Sequence, residues 1–125
     1  MPYLIDTDVM VDVSRGISAA ADYIDSLRDV WLAIITAQEL IVGARDKRDA
    51  AAIDGLVANF PIAQVNDRIG NLAYGLLKKY AKSHGLRTFD SWIAATAIES
   101  SLTLVSRNRQ HFEMIQEVSL QIPVY

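Results

Sequence analysis

Cysteine is absent from this 125-residue chain, and histidine occurs only twice, as His84 and His111. The first absence excludes a disulfide scaffold, thiolate zinc sites and a cysteine nucleophile, and suits a reducing cytoplasm. So few histidines argue against zinc, whose sites usually recruit imidazole or thiolate. No apolar run reaches the roughly 18 to 20 residues that span a membrane, and the first residues lack the pattern of a signal peptide. A Gly-rich phosphate loop is missing, which argues against a nucleotide-triphosphate motor. An excess of positive charge is missing too. The formal net charge is −3, a mild argument against nucleic acid, because phosphate binding is driven largely by basic side chains. That argument loses force where carboxylates gather round a divalent cation, since the ion inverts the local sign.

What is present is ordinary for a globular protein: 51% hydrophobic and 22% charged residues. The length suits one domain over residues 1–125, with no repeat, linker or low-complexity tract. Met1 leads directly into Tyr3-Leu-Ile-Asp6, a short buried strand ending in an acid. Val9 to Arg15 and Ser18 to Asp29 carry apolar residues at helical spacing. Val30 to Ile35 is a continuous apolar run, expected as a strand covered on both faces. Thr36 is expected to open a helix to about Asp46, and Arg48 to Asn59 a second one. After Pro61, Ile62 to Val65 reads as a strand. Asn66 or Asp67 then caps a long helix ending near His84-Gly85. Thr88 to Ser100 is a helix, Leu102 to Val105 a strand, Arg109 to Ile115 a short helix and Leu120 to Ile122 a last strand. Alternating strands and helices predict an α/β class, with a mostly parallel sheet covered on both sides.

In such a sheet, ligands bind beyond the carboxyl ends of the strands. Asp6 ends the first strand, with Asp8 two residues on. Glu39 lies near the start of the helix after the second strand, and Asn108 just follows the fourth. Asp90 precedes Ile93, Ala94 and Ala97 by three, four and seven positions, so it continues the buried stripe of its helix. An acid there is costly without a cation or a donor. Each acid also has an ordinary explanation. Thr36-x-x-Glu39 fits a capping box, Asp6 or Asp8 can cap a helix, and Asp90 can complement a helix dipole. His84 is expected as a helix cap, and His111 as a surface residue. The basic groups Arg45, Lys47 and Arg48, Lys78, Lys79 and Lys82, and Arg107 and Arg109 read first as solvated helix faces. Taken together, acids at three helix starts describe a hard-cation site of oxygen ligands suited to Mg²⁺ or Mn²⁺. Such an ion activates water and stabilises charge building on a phosphodiester.

Four segments carry a resemblance. They are Tyr3-Leu-Ile-Asp-Thr-Asp-Val9, Thr36-Ala-Gln-Glu-Leu-Ile-Val-Gly43, Phe89-Asp-Ser-Trp-Ile-Ala-Ala-Thr-Ala97 and Leu102-Thr-Leu-Val-Ser-Arg-Asn-Arg-Gln-His-Phe112. In that order they resemble the PIN-domain family, in particular VapC-type toxins of toxin–antitoxin pairs. The resemblance implies a three-layer α/β/α sandwich and a Mg²⁺- or Mn²⁺-dependent endoribonuclease. It also implies a homodimer, an RNA substrate of the tRNA or ribosomal RNA class, and inhibition by a VapB-like antitoxin. Asp6, Glu39 and Asp90 match the family's core acids, and Thr36 a small hydroxyl near them. The fourth acidic position falls at Asn108, which departs from the acidic form and leaves a second metal open. Asp8 stands where Asn is common, as a further ligand or as a cap. Arg107, Arg109, Arg45 and Lys47 are the candidates for gripping an RNA backbone. Two other readings stay open. One is a degenerate PIN domain acting as a binding module. The other is a haloacid-dehalogenase-type phosphatase, suggested by Asp6-Thr-Asp8-Val-Met10 but lacking the paired acids after the fourth strand.

Overall fold

Residues 2–125 are described by a computed structural model; Met1, the first residue of the expected domain, lies outside the described residues. Strand β1 (Tyr3–Ile5) runs into helix α1 (Thr7–Ser14), followed by α2 (Ser18–Asp25) and β2 (Val30–Ala33). Helices α3 (Ile34–Val42) and α4 (Lys47–Val57) precede β3 (Ile62–Ala63), and α5 (Asp67–His84) and α6 (Thr88–Glu99) precede β4 (Thr103–Val105). Helix α7 (Arg109–Phe112) and β5 (Leu120–Gln121) complete the order. All neighbouring strands pair in parallel, in the order β3-β2-β1-β4-β5.

Side chains alternate across each strand, and the sheet sorts them into two cores. Leu4, Ala33, Ala63 and Leu104 face a core closed by α5, α6 and α7. Ile5, Leu32 and Val105 face the other core, closed by Val9 and Met10 of α1, Ile24 of α2, Leu40 of α3 and Ile53 of α4. The result is the expected three-layer α/β/α sandwich. Helix α6 lies deepest, with Ser91, Ile93, Ala94, Ala95, Thr96 and Ala97 all buried. Its small side chains allow that depth, and its two buried hydroxyls are satisfied within the helix, Ser91 by the Thr88 carbonyl and Thr96 by the Trp92 carbonyl. Helix α5 is capped by Asn66, whose Oδ1 accepts from the Ile69 amide at 2.9 Å. It ends at Gly85, whose φ of +71° is the left-handed conformation glycine adopts without strain.

The structure redraws one boundary that matters for the site. The apolar run from Val30 was expected to remain strand to Ile35, with Thr36 opening the helix. Instead the strand stops at Ala33 and α3 starts at Ile34. A short apolar run does not by itself separate buried strand from buried helix. Thr36 therefore lies inside the helix, and Glu39 one turn deeper than expected. Among the described residues no helix is long and apolar enough to cross a membrane.

Leu104 is fully buried in β4, between β1 and β5. Leu104→Ala is expected to lower stability by about 2–5 kcal/mol, read as a lower urea midpoint with an unchanged slope.

Candidate metal and phosphodiester site

The chain adds β2 and β3 on one side of β1 and then crosses to add β4 and β5 on the other. The order therefore reverses between β1 and β4, and a crevice opens beyond their carboxyl ends. Ile5 pairs with Val105, so the next position on each strand brings Asp6 beside Ser106. The Asp6 amide continues the ladder onto the Val105 carbonyl at 2.9 Å. The Ser106 hydroxyl donates to Asp6 Oδ2 at 2.8 Å and accepts from the Asn108 amide at 3.0 Å. Asp6 Oδ1 accepts from the Thr7 amide at 2.8 Å, so the capping role expected for this acid occupies one of its oxygens.

Thr7 links Asp6 to the next acid. Its hydroxyl donates to Glu39 Oε1 at 2.7 Å and lies 3.0 Å from the Thr36 hydroxyl. A threonine has one hydroxyl proton, so Thr36 donates to Thr7 in that contact. Glu39 thus turns towards α1 across the crevice, and no capping box forms with the Thr36 amide. Asp90, in the first turn of α6, shares with Glu39 a cavity of about 230 Å³ also lined by Arg87, Thr88 and Phe89. Its Oδ2 lies 3.3 Å from His111 Nδ1. His111, expected as a plain surface residue, is therefore the neighbour of an acid in the crevice. Asp8 Oδ1 accepts from the Val9 amide and its Oδ2 from the Arg107 amide, at 2.8 and 3.0 Å.

Burial and like charge set the electrostatics. Asp6 is 3% exposed, and its carboxyl is pushed up to about 7 by burial first and then by Asp8, against the pull of Ser106 and the Thr7 amide; Asp90 adds a smaller push. Burial also raises Asp8, outweighing the amides of Arg107 and Val9. Asp90 is raised by burial and by Asp8, with His111 and Arg87 acting in the opposite direction. Among the described residues no cationic group comes within 4.0 Å of Asp6, Asp8 or Glu39. Nor do any three acidic or histidine side chains stand close enough together to ligate one ion as they are. The donor set nevertheless fits a hard divalent cation by its chemistry: every side-chain donor is oxygen, and burial disfavours the charge on Asp6, Asp8 and Asp90.

The other expected residues make these contacts. The Asn108 side chain makes no hydrogen bond among the described residues; its amide serves Ser106. Arg107 pairs with Asp12, and Arg45 with Asp49. His84 bonds its neighbour Ser83, while the Gly85 amide closes the helix. Sequence reasoning missed Ser106 and Thr7. Ser106 follows β4 directly, but only the strand order places it beside Asp6.

A family model described as "PIN domain" matches residues 3–117. The chain belongs to the PIN-domain family. It is 30% identical over 119 residues to Ribonuclease VapC10 of Mycobacterium tuberculosis H37Rv, covering 92% of this chain and 89% of that protein. It is 31% identical over 120 residues to Ribonuclease VapC19 of the same strain, covering 92% and 95%. Among solved structures, a chain of the toxin–antitoxin complex from Klebsiella pneumoniae superposes with a TM-score of 0.80 at 25% identity, covering 93% of this chain and 94% of that one.

The folded Asp6 carboxyl takes its proton near pH 7, whereas the ordinary value is 3.8. Between those values the folded state holds the extra proton, so stability falls as pH rises from about 4 to about 7. Melting curves of the metal-free protein in chelator are expected to show that decline, and Asp6→Asn to flatten it. An unchanged slope in Asp6→Asn contradicts the assignment.

Proposed function

We propose that this chain is a divalent-metal-dependent endoribonuclease, the toxin of a VapBC-type pair, held inactive by its antitoxin. The observation that carries the reading is the set of acids Asp6, Asp8, Glu39 and Asp90 at the point where strand order reverses, where among the described residues no cationic group comes within 4.0 Å of the first three. It occurs in a PIN-domain chain whose relatives are named Ribonuclease VapC. Neither competing reading is favoured by a specific contact.

Asp6 and Asp90 would hold a Mg²⁺ or Mn²⁺ ion, with Glu39 completing the set or orienting the attacking water. When bound, the ion supplies Lewis acidity for the phosphodiester and lowers the pKa of water. The remaining roles belong to the chain. Ser106 and the Thr7 amide fix both oxygens of Asp6, so that its carboxylate need not reorganise during the reaction. The Thr7 hydroxyl orients Glu39. Asn108, whose side chain has no hydrogen bond among the described residues, donates to a phosphate oxygen or an ordered water. Arg87, in the same cavity as Asp90, supplies positive charge to the substrate backbone. The substrate is RNA of the tRNA or ribosomal RNA class, and the active form is a homodimer. The inhibitor is a VapB-like antitoxin, a reading supported by the likeness to a chain of the Klebsiella toxin–antitoxin complex.

Two measurements test this. Asp90→Asn removes one charge from the acidic crevice; it is expected to abolish RNA cleavage in Mg²⁺ while leaving the fold intact, and full activity sinks the assignment. Expression of the chain alone in a bacterial host is expected to arrest growth, and Asp6→Ala to relieve the arrest. Arrest that persists with Asp6→Ala supports the binding-module reading instead.

A further inference from the structure

Arg107 lies in the turn between β4 and α7, directly between Ser106 and Asn108, and its two ends are held by different partners. Its side chain donates from Nη1 to Asp12 Oδ2 at 2.6 Å. The guanidinium stands 5.6 Å from the centroid of the Tyr125 ring, within the range of a cation–π contact. The Tyr125 hydroxyl donates to the same Asp12 oxygen at 2.7 Å. Asp12 is a buried acid of α1, and the Tyr125 bond foremost, with Arg107 behind it, holds its carboxyl below the ordinary value. Burial and then Asp12 hold the Tyr125 phenol above its own, so it remains a donor. The Tyr125 ring also packs on Tyr23 of α2 at 6.0 Å between centroids. Three segments distant in sequence therefore converge on one carboxylate oxygen.

The main chain of Arg107 faces the opposite task. Its amide donates to Asp8 Oδ2 at 3.0 Å, and the preceding residue, Ser106, holds Asp6. Anchoring the side chain thus limits where that amide and that hydroxyl can be. We propose that Asp12, Arg107 and Tyr125 form a strut that positions the Ser106–Asn108 turn and, through it, the carboxylates of Asp6 and Asp8. Arg107 is then a positioning residue and not an RNA contact. The consequence for metal binding rests on the reading of those acids given above; the strut itself concerns only this chain's own contacts. An exposed ion pair is usually worth little, but here the acceptor is buried and two donors share one of its oxygens.

The experiment compares the full chain with Tyr125→Phe, Arg107→Ala and Arg107→Lys. In metal-free protein, amide hydrogen exchange at Arg107 is expected to accelerate about tenfold in Tyr125→Phe, the scale of one lost hydrogen bond. The slowest core amides are expected to keep their protection. Calorimetric titration with Mn²⁺ is expected to show about tenfold weaker binding, as for other groups that orient metal ligands. Arg107→Lys, which keeps the charge without the planar fork, is expected to fall between wild type and Arg107→Ala. Uniform acceleration across the core, without a selective effect at Arg107, makes the cluster merely structural and overturns the proposal. So does a raised KM for RNA in Arg107→Ala, with a weaker salt dependence and unchanged Mn²⁺ affinity. If wild type binds no Mn²⁺, the metal reading fails, while Arg107 exchange in the metal-free protein still decides the strut.

Discussion

A carboxylate is expensive to bury, and this fold buries one at the end of its central strand. Asp6 sits where β1 meets the switch in strand order, almost out of contact with solvent and beside a second acid. Two donors, the Ser106 hydroxyl and the Thr7 amide, offset part of the cost. They do not offset all of it, because the proton affinity of the group still rises to about 7. The rest of the crevice follows from that imbalance. Asp8 and Asp90 make it worse, and among the described residues no basic side chain comes within 4.0 Å of Asp6. A structural role alone would be served better by an asparagine, which caps the same amide without the charge.

The distribution of cations supports the same view of the molecule. Arg45, Arg68, Lys79 and Arg107 are paired with Asp49, Glu99, Glu117 and Asp12 in turn. Arg87 lines the cavity at Asp90, and His111 reaches Asp90 directly. A net charge of −3 therefore coexists with an acidic centre and a basic side chain, Arg87, at its rim. For a phosphodiester substrate the centre is repulsive until a divalent ion changes its sign.

Much of the architecture was legible because it rests on local pattern. Tyr3-Leu-Ile-Asp6 read as a strand delivering an acid, Asn66 or Asp67 as a cap (Asn66 is the one that caps) and Gly85 as a stop, since each depends on a few neighbouring residues. Asp90 was legible through its place on a buried stripe. The start of α3 was not: Ile34 and Ile35 suit a strand and a buried helix equally, and tertiary packing decides. That shift removed Thr36 from the cap position and gave Glu39 a partner 32 residues away, Thr7. Ser106 and the Asp12–Arg107–Tyr125 cluster were illegible for a stronger reason. Their contacts span about a hundred residues of chain, and only the order of strands brings them together. The ion pairs of Arg45 with Asp49 and of Arg107 with Asp12 were illegible likewise, because composition does not reveal which charges are paired.

The central claim is that Asp6, the buried acid at the end of β1, shares one doubly charged ion with Asp90. Anomalous diffraction from crystals grown with Mn²⁺ tests it most directly. The expected result is an anomalous peak within ligand or water-bridged distance of both Asp6 and Asp90, lost in Asp6→Asn. A clean map at that crevice in a crystal of the ordered, wild-type chain, at Mn²⁺ concentrations that support cleavage by comparable nucleases, contradicts it.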